Sequence, residues 1–192
     1  MPFAERHLPP GCGHHFRVTD ALPAIFWSHP QVSVMRSSIE GRGLVATADL
    51  PAGVIILRMS GHLVSTDELA KLIEQANADP MQTYVDSLTI YEGVHLVLSP
   101  GSVAHFGNHS CDPNLWHVGP YEIATRRAVV NGEELTIDYG TQSGADGFSM
   151  DCRCGSALCR GMVTSSDWRL PELQARYRHH WVPALEARIA AA

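Results

Sequence analysis

The chain has 192 residues, 45% of them apolar, and a formal net charge of −6. That length suits one domain with extensions. The acidic balance argues against a sequence-independent nucleic-acid binder, which needs a basic face for phosphates, and it suits a basic partner such as a Lys-rich peptide. No stretch approaches the roughly 18–20 apolar residues of a membrane span, and residues 1–20 lack the apolar centre of a signal peptide. The expectation is an intracellular, cytoplasmic protein with no membrane and no direct nucleic-acid partner.

Residues 1–30, rich in Pro, Gly and His, read as an irregular arm whose end Phe26 and Trp27 pin to the core. Short strands follow. Val32 and Val34 alternate with polar neighbours, Gly41-Arg42-Gly43 interrupts, and Leu44-Val45-Ala46 resumes. Leu50-Pro51-Ala52-Gly53 is turn chemistry before a buried strand at 54–57. The spacing predicts a helix over 66–78, with Leu69, Leu72, Ile73 and Ala76 on one side. Thr66 is its expected cap, and Asp67 and Glu68 suit its positive end. Residues 95–99 and 121–130 read as strands, Asn131-Gly132 as a hairpin turn, and 134–139 as the strand after it. Within 165–192, Leu170, Leu173, Tyr177, Trp181, Leu185 and Ile189 recur at helical spacing. Pro171 suits a first turn, and Pro183 divides the segment into two short helices. This stripe packs onto the core or onto a second copy of the chain, as a homodimer; a role in gating an active site is the less favoured reading. Short strands, turns and few helices together give a mostly-β fold.

Five cysteines, an odd number, fit a disulfide framework poorly. Cys152, Cys154 and Cys159 crowd together, and Cys111 lies about forty residues upstream. Four thiolates satisfy the tetrahedral demand of a structural zinc and leave no open position for water. The alternative is a set of buried free thiols, but Arg153, Gly155 and Ser156 suggest an exposed loop. Cys12 with His14 and His15 is a weaker second metal candidate.

Phe106-Gly107-Asn108-His109-Ser110-Cys111-Asp112-Pro113-Asn114 resembles the central motif of SET-domain lysine methyltransferases. Glu133-Glu134-Leu135-Thr136-Ile137-Asp138-Tyr139-Gly140 resembles the second motif, and Gly41-Arg42-Gly43 the opening one. Cys152-Arg153-Cys154-Gly155-Ser156 followed by Cys159-Arg160-Gly161 resembles the post-SET loop. All four stand in the family's order, over about residues 31–164. The resemblance implies several small β-sheets around a pseudoknot, in which the segment carrying Tyr139 passes through a loop formed near Asn108. It divides the chain into an arm (1–30), a SET core (31–141), a post-SET zinc loop (142–164) and a C-terminal helical extension (165–192).

The same resemblance implies the function. The reaction is methyl transfer from S-adenosylmethionine to a protein lysine, with S-adenosylhomocysteine as product and one structural zinc held by Cys111, Cys152, Cys154 and Cys159. Gly41 and Gly43, with Arg42 between them, are the glycines that let backbone approach the cofactor. His105 and Phe106 match positions beside its adenosine, and Asn108 and His109 match positions at its amino-acid and adenine ends. Tyr84 matches a cofactor-contacting tyrosine loosely, and a core tyrosine is the equal alternative. Tyr139 is the expected catalytic residue and also touches the cofactor. A lysine-containing protein or peptide is the implied partner, a histone among the candidates.

Two positions depart from the family pattern. Ile137 stands where relatives carry Phe or Tyr, which leaves the lysine channel wider and points beyond monomethylation. Met59 stands where many relatives carry a tyrosine lining that channel. Met59 keeps an alternative open, a non-enzymatic zinc-containing module that holds a partner. A thiol redox sensor built on the cysteine cluster is a third reading.

Overall fold

The computed structural model describes residues 21–79, 81, 85–143 and 147–192. The chain begins with β1 (Trp27–Ser28), β2 (Val32–Arg36) and β3 (Arg42–Ala46). β2 and β3 form an antiparallel hairpin that sets Val34 opposite Leu44. At its turn Gly41 adopts φ +49, a left-handed conformation that favours glycine. β4 (Ile55–Arg58) and β5 (Gly61–Ser65) lead into α1 (Thr66–Ala78).

The helix has the predicted span, but its cap is Ser65 and not Thr66. The Ser65 hydroxyl accepts from the Glu68 amide, and the Glu68 carboxylate accepts from the Ser65 amide, closing a capping box. The Thr66 hydroxyl instead meets the buried His95 ring at 3.0 Å. Leu69 and Ala76 are buried, whereas Leu72 and Ile73 sit on the outside, so the apolar face is narrower than the sequence suggests.

β6 (Ser87–Tyr91), β7 (Val94–Leu98), β8 (Asn108–His109), β9 (Leu115–Val118) and β10 (Glu122–Thr125) follow, then β11 (Glu134–Ile137), β12 (Ser149–Asp151) and β13 (Met162–Thr164). The helices α2 (Pro171–Arg176) and α3 (Pro183–Ala190) complete the described residues, each with proline in its first turn, as the two prolines predict.

The strands make four small sheets, ordered β1-β4-β10-β9, β2-β3-β11-β8, β5-β7-β6 and β12-β13. This is the mostly-β architecture expected. Two strand expectations are corrected. The strand at 121–130 is only Glu122–Thr125; beyond it Val129 makes an isolated bridge with Leu50. Asn131-Gly132 is a turn but closes no hairpin: β11 pairs antiparallel with β3 and parallel with β8, not with β10. The turn is held instead by the Gly132 amide on the Ala46 carbonyl.

The main core gathers Leu44, Ile56, Leu57, Met59, Leu96, Leu135 and Ile137 between the sheets. Each fully buried leucine or isoleucine contributes roughly 1.5–3 kcal/mol relative to exposure. The C-terminal stripe builds a second cluster from Trp168, Leu173, Tyr177, Trp181, Val182 and Leu185. His117 of β9 is fully buried near both clusters. Its Nε2 meets the Gln142 amide oxygen at 3.1 Å, and its Nδ1 has no partner among the described residues. Burial, the largest influence, pushes this imidazole down to about 4.

Candidate functional site

Parallel pairing of β8 and β11 sets Thr136 beside Asn108 and Ile137 beside His109. Tyr139 lies two residues beyond the end of β11, which stops at Ile137 short of the expected residue 139, and lines two cavities. One, of about 400 Å³, is lined also by Ile39, Glu40, Asn108, His109, Met150, Asp151 and Arg153, so that charged and amide side chains border it. The other, of about 260 Å³, is largely apolar and includes Leu57, Met59, Leu98, Ile123, Ile137 and Phe148 in its wall. Two hydrogen bonds fix Tyr139 between them. Its amide donates to His109 Nδ1 at 3.0 Å, and its hydroxyl donates to the Gly107 carbonyl at 2.7 Å. The ring lies 5.4 Å from that of His109, centre to centre.

The cleft beside Asn108 is framed by the Gly41 turn. Asn108 Nδ2 donates to the carbonyls of Glu40 and Arg42, at 3.2 and 3.1 Å, and to the Glu134 carboxylate at 2.8 Å. That carboxylate also accepts from the Ser37 hydroxyl through both oxygens, at 2.8 and 2.9 Å. A Cβ on Gly43 would collide with the Glu134 carboxyl group, whereas a Cβ on Gly41 would meet open space. Gly43 therefore makes room for Glu134, a reason other than close approach to a cofactor. Arg42 spreads over the Phe106 ring at 4.2 Å. Across the mouth of the cleft, exposed Arg153 reaches exposed Glu40 at 3.4 Å.

The other expected residues divide between the two spaces. Asn108, His109 and Tyr139 line the cleft beside Glu40, while His105 lines the other cavity and is held by Asp86 at 2.7 Å and the Ser99 carbonyl at 3.1 Å. Ile137 and Met59, expected beside the substrate, lie together in the apolar wall. Tyr84 and the Cys12 cluster lie outside the described residues.

His109 joins the cleft to the cysteines. It is buried, and burial, the largest influence, pushes it down to about 4, against the pull of the Asp138 charge. Because Nδ1 accepts from the Tyr139 amide, the ring proton sits on Nε2. That nitrogen faces Cys111 Sγ at 3.3 Å. The ring nitrogens of His109 and the side-chain amino group of Asn108 thus serve the protein itself.

The sulfurs of Cys111, Cys152, Cys154 and Cys159 all lie within 4.8 Å of one another. Around a tetrahedral zinc with bonds of about 2.3 Å, sulfurs stand about 3.8 Å apart. Cys111 and Cys152 are 3.7 Å apart, close to that edge and far beyond a disulfide bond. The backbone amides of Cys111, Arg160 and Gly161 donate to the sulfurs of Cys154, Cys111 and Cys159 at 3.5, 3.3 and 3.4 Å. Burial resists ionisation of Cys154, but bonds from the Cys111 amide and Ser156 outweigh it and bring the thiol down to about 6. A donor set of four thiols with amides aimed at the sulfurs fits a thiolate-bound metal.

Sequence reasoning missed what lies under Tyr139. Asp138 is fully buried, and both its oxygens are taken by Arg160, at 2.7 Å each. Arg160 Nε also reaches Asp167 at 2.9 Å. Burial works against the guanidinium charge, but the paired Asp138 outweighs it and Arg160 stays ionised. The Tyr177 hydroxyl donates to Asp138 at 3.1 Å. Breaking such a buried pair from one side costs roughly 3–5 kcal/mol. Arg160 stands in the quoted Cys159-Arg160-Gly161 sequence, but nothing in that string tells that its side chain crosses to Asp138.

Comparison with known proteins agrees with this arrangement. The sequence profile of the SET domain matches residues 41–140. Over 140 residues, 67% of the chain, the sequence is 33% identical to histone-lysine N-methyltransferase trithorax of Drosophila virilis, covering 4% of that protein. It is 30% identical over 156 residues, 74% of the chain, to the H3 lysine-36 specific histone-lysine N-methyltransferase of Schizosaccharomyces pombe, covering 19% of it. It is 33% identical over 144 residues, 70% of the chain, to histone-lysine N-methyltransferase SETD2 of Homo sapiens, covering 6%. The chain thus spans less than a fifth of the length of these relatives. With the profile covering the Gly41 turn, both cavities' shared tyrosine and the strands that bring them together, the chain belongs to the SET-domain family.

Proposed function

We propose that the chain is a protein-lysine N-methyltransferase that uses S-adenosylmethionine and carries one structural zinc on its four clustered cysteines. The observation that carries this reading is the place of Tyr139, which borders a cleft edged by Glu40, Asn108, Asp151 and Arg153 on one side and a cavity walled by Leu57, Met59, Leu98 and Ile137 on the other. Such a partition suits a charged cofactor on the first side and an aliphatic lysine side chain on the second. The relatives named for histone-lysine methylation support the substrate class, a lysine-containing protein or peptide with histones first among them.

When bound, S-adenosylmethionine supplies a methyl group on a positively charged sulfur. The residues of the chain do the rest. Asn108, His109 and Glu40 shape the cleft that would hold it. Free lysine has a pKa of about 10.4 and arrives protonated; a wall of Leu57, Met59, Leu98 and Ile137 disfavours its charge and promotes proton loss. The Tyr139 hydroxyl and the Gly107 carbonyl, 2.7 Å apart, place two oxygens between the cavities. Oxygens so fixed favour a methyl group that carries partial positive charge, through weak CH···O contacts. Alignment supplies much of the remaining rate. Ile137, lacking a hydroxyl and the bulk of an aromatic ring, leaves room for a second or third methyl.

The test is to incubate zinc-loaded protein with methyl-labelled S-adenosylmethionine and a panel of histones and Lys-rich peptides, reading products by mass spectrometry. Methyllysine is the expected product. No transfer together with no cofactor binding in calorimetry overturns the reading and favours the non-enzymatic module.

A further inference from the structure

The segment that carries Tyr139 is braced by two residues beyond the stretch matched to the SET profile, which ends at residue 140. Arg160 comes from the cysteine loop and Tyr177 from the end of α2. Both converge on Asp138, the neighbour of Tyr139, whose side chain is removed from solvent. Two parallel N–H groups on one carboxylate admit a single relative orientation, so the Arg160 clamp fixes angle as well as distance. Asp138 passes the constraint on. Its Oδ1 accepts from the Gly140 amide at 2.9 Å, and its carbonyl accepts from the Thr141 hydroxyl at 2.7 Å. The turn is held from outside as well, by the Val182 amide on the Thr141 carbonyl at 3.1 Å. At its other end Arg160 is tied to the cysteine cluster through its own amide, on Cys111 Sγ.

We infer that Arg160 and Tyr177 are positioning residues that set the Tyr139 hydroxyl between the two cavities by way of Asp138. The cysteine loop and the C-terminal segment are then parts of the reaction machinery and not only staples. The inference rests on the methyltransferase reading, because it assigns these residues to that reaction. Misplacement of a reacting group by about 1 Å can cost about 10²-fold in rate. A lysine at 160 keeps a charge but loses the planar fork.

The test uses the full zinc-loaded chain as wild type, Arg160→Lys, Tyr177→Phe, and the double variant Arg160→Met with Asp138→Asn. Five quantities are measured: zinc per chain, the Kd for S-adenosylmethionine, kcat and KM on a methyl-accepting lysine peptide, and amide exchange across residues 138–143. Arg160→Lys is expected to keep its zinc and cofactor Kd and to lose kcat by about 10²-fold with KM little changed. Tyr177→Phe is expected to lose several-fold, and exchange at 138–143 rises in both. The double variant removes the Asp138–Arg160 charge pair without restoring the clamp, and Asp167 keeps its bonds from Thr164; its kcat stays low. Recovery of wild-type kcat in the double variant overturns the inference, since Arg160 would then only neutralise a buried charge. Unchanged exchange in folded Arg160→Lys overturns it too. If the wild type transfers no methyl group, the methyltransferase reading fails on its own, and the role in that reaction falls with it.

Discussion

Gly43 and Glu134 exclude a larger partner from each other's space: the carboxyl group of Glu134 stands where a Gly43 methyl group would have to be. The carboxylate cannot simply withdraw, because it receives Ser37 and Asn108. Gly43→Ala is therefore expected to destabilise the fold by about 1–3 kcal/mol, the range for overpacking a tight site. Urea denaturation measures it. Adding Glu134→Ala should recover part of the loss, so the two changes are non-additive; strict additivity would show that the clash is relieved elsewhere.

Tyr139→Phe keeps the ring and the backbone bond to His109 while removing the hydroxyl that meets Gly107. Stability should fall by only about 1 kcal/mol, the net worth of one hydrogen bond. The kcat should fall by roughly 10²-fold or more, as for loss of one preorganised polar group. Parallel measurement of Tm and kcat separates the two. A variant with wild-type kcat would remove Tyr139 from the reaction.

Ile137 is buried in the wall of the apolar cavity of about 260 Å³. Ile137→Tyr places a phenol in that space and should stop the reaction at one methyl, whereas the wild type is expected to proceed to two or three. Exhaustive reaction followed by mass spectrometry decides the point. A wild-type product that is only monomethylated refutes the role given to Ile137.

His117 titrates at about 4 in the fold because it is buried, against 6.5 in an unfolded chain. Between those values the unfolded state takes up a proton that the folded state refuses, so stability present at neutral pH is lost as pH falls from about 6.5 towards 4. His117→Gln keeps a polar side chain near Gln142 and removes the titration. The slope of unfolding free energy against pH in that window should drop by up to about 1.4 kcal/mol per pH unit. Equal slopes in both proteins would show that His117 stays accessible to protons.

The legible part of this molecule was local. Pro171 and Pro183 announce two helix starts because their fixed φ suits a first turn. The cysteine spacing announces a cluster because few other structures need thiols so close. The motifs around Asn108 and Tyr139 mark residues that line the cleft beside Glu40. What escaped depends on side chains meeting across the chain. The Ser65 cap is an exception, since Ser65-Thr66-Asp67-Glu68 has the capping-box spacing that Thr66 lacks with Leu69. Asn131-Gly132 has hairpin chemistry, yet β3 and β8 compete successfully for β11. The reach of Arg160 to Asp138 spans 22 residues and leaves no periodic trace.

The sheet order β2-β3-β11-β8 also dictates when the site can come into being. Its third strand in space is its last in sequence, residues 134–137. Until the ribosome has released them, the β2–β3 hairpin and the short β8 strand have nothing to join them, and two open edges await one missing partner. Pairing at such sequence distance is slow, because chain closure must precede its reward. The growing chain therefore completes this sheet, and with it the seat of Tyr139, only after residues 134–137 have emerged.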